Sequence, residues 1–135
     1  MSYPISKISD IDAAIASKLK AQRIRTTAKF LEQARDVRGR QALATKIGVD
    51  ECTLLKWANA ADRMRIKGIG DEYACLLAAV GVDTVRELKY RNPKNLAKAM
   101  AAANEKRKLV SFLPSEKAVK KWIERAKTLS LKISY

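Results

Sequence analysis

Histidine is absent from this chain of 135 residues, and cysteine occurs only twice, at Cys52 and Cys75. Those two facts remove the usual zinc ligand sets, the Ser-His and Cys-His nucleophile pairs and the commonest general base. Lys, Asp and Glu remain, but no nucleophile–base pair or metal-ligand cluster stands out among them. The expectation is therefore no enzyme, with no catalytic residue, no metal and no cofactor. Both cysteines are expected as reduced thiols on apolar helix faces, because free Cys is usually spent as a small hydrophobe. Aromatic residues make up only 6%, too few to suggest a platform for stacking unpaired bases. No apolar run approaches the ~18 residues of a membrane span. The opening stretch, MSYPISKISDIDAAIASKLK, is broken by Lys7, Asp10 and Asp12 and lacks a signal peptide's apolar middle. A cytoplasmic protein with no membrane partner is expected.

Acidic residues are scarce beside basic ones. The chain carries 28 Lys+Arg against 14 Asp+Glu, a formal charge of +14. The excess is uneven: residues 1–62 hold 11 basic and 7 acidic residues, and residues 63–135 hold 17 and 7. Such a surface draws polyanions. A length of 135 residues with 47% apolar content fits one domain able to bury a core without disulfide or metal.

What the chain does have is helix signals. Asn92-Pro93 reads as an N-cap followed by proline at the first helical position. Thr84 with Glu87 has the spacing of a capping box, and Asp50 and Ser115 have the chemistry of N-caps. All five glycines, at 39, 48, 68, 70 and 81, fall between periodic segments. The pattern predicts an all-α fold of about eight helices, near 11–22, 26–35, 39–47, 50–62, 70–80, 84–90, 93–104 and 115–130. No strand signal accompanies them.

The chain also repeats itself. At an offset of 58, Ile8 meets Ile66, Ile11 meets Ile69, Leu19 meets Leu77 and Thr26 meets Thr84. At 65, Asp50 meets Ser115 and Trp57 meets Trp122, which places an insertion near ANEKRKLVSF. The reading is two tandem units, 1–64 and 65–135, sharing one core, with both tryptophans spent on packing.

Within the second unit runs RIKGIGDEYACLL. Gly68 and Gly70 are suited to backbone conformations and close approaches that a Cβ would penalise. Ile69 pins the turn, and Ala74 and Leu77 begin the apolar face of the next helix. This resembles the helix-hairpin-helix motif of DNA-binding and DNA-repair proteins. With GVDTVREL, RNPKNL and a Trp-containing last helix, nearly the whole chain looks like a bacterial family of uncharacterised domains with tandem helix-hairpin-helix units. The resemblance implies an all-helical fold and contact with the DNA backbone without sequence reading. In such a motif, hairpin amides and the following helix N-terminus hold a phosphate oxygen. The matching groups are the amides around Gly68, Ile69 and Gly70, with Arg65 and Lys67 beside them; a potassium or sodium ion is left open. Asp71 and Glu72 favour the helix start but repel phosphate. In the first unit Asp10 and Asp12 stand at the glycine positions, so that hairpin is expected to be a plain turn.

RQALATKIGVDECTLLKWANAAD has the core spacing of a helix-turn-helix, with Gly48 in the turn. Its reading face would present Asp50, Glu51, Cys52, Leu55 and Lys56, a poor match for a negatively charged groove. A better candidate is the last helix, where Lys117, Lys121 and Arg125 line up four residues apart with Lys120 nearby. Lys106-Arg107-Lys108, in the inserted segment, is expected to form a mobile basic loop. Together these residues predict a duplex-DNA-binding module with a salt-dependent phosphate track, nucleoid-associated if it binds DNA. The alternative is an interaction or scaffold module that meets an acidic protein partner, favoured by the acidic residues at both hairpins.

Overall fold

The computed structural model describes residues 2–135, and among them the chain is all-helical. A 3-10 turn at Ile5–Lys7 leads into α1 (Ala13–Ala21), α2 (Thr27–Gln33), α3 (Val37–Ile47) and α4 (Glu51–Arg63). Then follow α5 (Asp71–Ala79), α6 (Val85–Lys89), α7 (Pro93–Arg107) and α8 (Glu116–Thr128). Among the described residues the one β-type pairing outside these helices is a bridge between Pro4 and Thr26.

Side-chain caps set most of the starts. Asp12, Thr26, Asp36, Asp50, Asn92 and Ser115 each accept an N–H from three residues ahead, which satisfies one of the orphan amides of a first turn. The Thr84–Glu87 pair forms differently from a capping box. The Thr84 hydroxyl donates to the Glu87 carboxylate, and the first amide of α6, Val85 N–H, donates instead to Asp62 at 2.8 Å.

Two local expectations are corrected. Gly39 lies inside the first turn of α3, where a Cβ would run into the Gln33 carbonyl at the end of α2; it serves close approach, not a junction. Cys52 is exposed, while the half-buried Cys75 thiol lies 3.8 Å from the Ser9 hydroxyl.

Matching spacings recur along the backbone. Helices α1 and α5 are both nine residues long and start 58 residues apart. Ile11 N–H donates to Ile8 and Ile69 N–H to Ile66, at 3.0 and 3.1 Å, and Ile24 and Val82 close on Leu19 and Leu77, both at 2.9 Å. Arg23 and Gly81, also 58 apart, both have left-handed backbone, φ 65° and 86°.

One apolar cluster extends from Ile5 to Ile133, with Trp57, Met64, Ile69, Leu77, Leu88 and Trp122 inside it. Helix α4 packs against α2, α3 and α5, and α8 packs across α6 and α7. The residues after α8 return to the first half: Ile133 is buried, Ser134 N–H donates to the Arg35 carbonyl at 2.7 Å, and the buried Arg40 donates to the Ala34 and Ser134 carbonyls at 2.9 and 2.6 Å.

Candidate functional site

The glycine turn joins α4 to α5. Met64 closes α4, and the buried Ile66 and Ile69 anchor both ends of the turn in the core. Lys67 and Gly68, lying between those anchors, are thereby held out in solvent. Gly68 has φ +95°, and a Cβ there would lie 3.2 Å from Trp122 Nε1. Glycine is needed here on both counts. Gly70 is different: its backbone is extended, φ −91° and ψ −168°, and a Cβ added there would meet nothing within 4 Å. Its glycine serves neither conformation nor space, contrary to the sequence expectation. As N-cap of α5 it offers no side-chain acceptor, so the first amides of that helix lack an acceptor from their own cap. Ile69 N–H, by contrast, is spent inside the turn on the Ile66 carbonyl.

Asp71 does not hang over the turn as an isolated charge. Its Oδ1 accepts from Ser9 N–H at 3.0 Å, so the carboxylate caps the short turn near the N-terminus. Asp12 is spent as the N-cap of α1. Glu72 remains exposed.

Helix α8 flanks the same turn. Arg125 Nη1 donates to the Lys67 carbonyl at 3.5 Å. Lys121 shares a shallow surface hollow with Glu124, Arg125 and Thr128. Lys117 and Lys120 are exposed nearer the start of α8. The buried stripe Val119, Trp122, Ile123 and Ala126 fixes which face these cations show. The structure thus brings Lys67, Gly68, Lys121 and Arg125 together.

Other expected residues go elsewhere. Arg65 is bound by Asp62, Nη1 to Oδ1 at 2.9 Å, and lines a hollow with Leu31 and Arg35. Lys106 and Arg107 are not in a loop: they form the last turn of α7, and Lys108 is its left-handed C-cap, φ 51°. Cations there complement the negative end of the helix dipole. Arg107 lines a separate crease beside α4 and α5. The segment that follows is held by Asn104, which pairs with Val110 N–H at 2.9 Å and with its carbonyl at 3.1 Å.

Phe112 was not among the expected site residues. Its carbonyl accepts from Tyr73 Oη at 2.9 Å, and the Tyr73 ring stands 5.3 Å from that of Trp122. This places Phe112 beside the glycine turn, 81% exposed, next to Leu113 at 48%. The signal was present in SFLP, an apolar group between basic runs. The helix-turn-helix core positions Leu43, Ala44, Ile47, Leu54 and Trp57 are all buried, and α4 exposes Glu51, Cys52 and Lys56, a face whose chemistry suits a negatively charged groove poorly.

Among the described residues no helix is long and apolar enough to cross a membrane. No curated protein and no solved structure is similar enough to this chain to match it. Residues 9–129 match the model of a domain of unknown function, DUF4332, and the chain belongs to that family.

Proposed function

We propose that this domain grips duplex DNA by its phosphates, without reading sequence, using the glycine turn as a helix-hairpin-helix and α8 as a basic flank. The observation that carries this reading is the junction of turn and helix, with Arg125 on the Lys67 carbonyl and Trp122 beneath Gly68. It sets a helix start without a side-chain cap, Lys67, Lys121 and Arg125 on one surface. The N–H groups of that helix start and the positive end of the α5 dipole suit a phosphate oxygen, and the flanking cations extend the track. Engaging Asp71 with Ser9 N–H draws the nearest carboxylate away from that role. The matched 58-residue spacings support a tandem arrangement in which the first turn, closed by Asp71, is structural.

Fluorescence anisotropy of a labelled random-sequence duplex across a salt series tests it. Affinity is expected to fall about a hundredfold between about 50 and 200 mM salt if roughly four phosphates are neutralised. Lys67→Glu should abolish binding. Salt-independent binding, or none at low salt, would sink the reading. The second reading, a scaffold that meets an acidic protein, is favoured by the exposed Phe112 and Leu113 among basic residues. Retention of protein partners from nuclease-treated lysate, lost with Phe112→Ser, would support it.

A further inference from the structure

The connection between α7 and α8 carries an apolar tip, Phe112-Leu113-Pro114, beside the glycine turn. Phe112 is 81% exposed and Leu113 48%, yet the backbone that presents them is held. Val110 is buried, and Asn104 pairs with both its N–H and its carbonyl. Tyr73 Oη donates to the Phe112 carbonyl at 2.9 Å, and Ser115 caps α8 by accepting Ala118 N–H. Pro114 disfavours helical backbone at Leu113, so α8 does not wind back over the tip. The chain is thus fixed at Val110, Phe112 and Ser115 while the Phe112 side chain stands in water. Apolar groups rimmed by charge have the composition of a contact surface.

We propose that Phe112 is a wedge that enters between two base pairs of duplex DNA from the minor groove and kinks it. The inference rests on the DNA reading above and adds a deformation of the duplex to it. Charge names the occupant. Residues 105–121 carry six Lys or Arg against Glu105 and Glu116, and Lys117, Lys120 and Lys121 are exposed on the helix that follows the tip. A duplex offers phosphates to those cations and, between its base pairs, stacked apolar faces to the ring. Phe, Leu and Pro are side chains that such wedges use to unstack a base step. The tip is also tied to the proposed phosphate grip. Tyr73 is the third residue of α5, and its ring lies 5.3 Å from that of Trp122, which backs Gly68. Wedge and turn are therefore held in fixed relation, so that gripping a phosphate also aims Phe112.

The test is energy transfer between dyes at the two ends of a short duplex, read beside the anisotropy of the same duplex. A central TA step is included because it unstacks easily. Bound wild-type protein should draw the ends together by a kink within the ~20–90° that wedges produce. Phe112→Ser, a change at an exposed site, should bind about tenfold more weakly and leave the bound duplex straight. Phe112→Leu should keep the kink. Tyr73→Phe frees the Phe112 carbonyl but keeps the ring beside Trp122, and should reduce it. A bound but straight duplex with wild type, or an equal kink with Phe112→Ser, overturns the wedge and leaves the phosphate grip standing. No anisotropy change at low salt overturns both. Tighter binding to a single strand, lost with Phe112→Ser, would assign the ring to unpaired bases instead. A protein partner lost with Phe112→Ser while the kink persists would assign it to a scaffold contact. Either result overturns the wedge.

Discussion

Single residues decide whether the glycine turn can exist. Gly68 combines left-handed backbone with contact to Trp122, whereas Gly70 has neither constraint. Gly68→Ala should therefore cost about 1–2 kcal/mol in a denaturant titration. Gly70→Ser should be neutral or slightly stabilising, because serine supplies the missing N-cap acceptor. Equal losses at both positions would contradict the distinction. Asp62 works at the same scale. It is 2% exposed, and one carboxylate holds both Arg65 and the first amide of α6. Asp62→Ala leaves the buried Val85 N–H without its acceptor, so a loss of about 1–3 kcal/mol is expected, read from the unfolding midpoint. The i,i+3 spacing to Arg65 is local, but nothing in the local sequence marks the contact of Asp62 with α6, because that partner lies 23 residues away. The caps at Asp50, Asn92 and Ser115 were legible, since each acts on an amide three residues ahead.

Among the elements, α8 and the end of α7 carry most of the basic residues singled out from the sequence, and the fold gives them different settings. The α8 stripe flanks the glycine turn through Arg125. Lys106 and Arg107 occupy a helix C-terminus that favours cations on its own account. Lys121→Glu/Arg125→Glu should lower affinity for a random duplex by at least about tenfold and flatten its salt slope. Lys106→Ala/Arg107→Ala/Lys108→Ala should have the smaller effect, seen by the same anisotropy measurement. The reverse order would move the contact surface to the end of α7. Helix existence and type were readable from periodicity. The extension of α7 to Arg107 was not, because KRK breaks the apolar pattern and the stop depends on a left-handed Lys108 where a glycine would be the usual signal.

For the whole molecule, the halves are tied together by contacts that reach across the chain. Asp71 closes the turn at Ser9, Tyr3 Oη donates to the Ile69 carbonyl at 3.4 Å, and Arg40 clamps the tail after α8 onto the α2–α3 corner. Arg40→Met keeps the apolar volume but removes both carbonyl contacts. It should destabilise by about 2 kcal/mol and expose the tail, read as earlier proteolysis after Leu129 with an unchanged helical spectrum. Composition, helical periodicity, capping chemistry and the internal repeat by themselves determined an all-helical chain with a strong positive charge, because each depends on residues within a few positions or on simple counts. Only the tertiary structure decided that Lys67 meets Arg125, that Asp62 reaches the first amide of α6, and that Arg40 holds the tail after α8. Those pairings join residues brought near by packing, and sequence spacing carries no record of which helix face will lie against which.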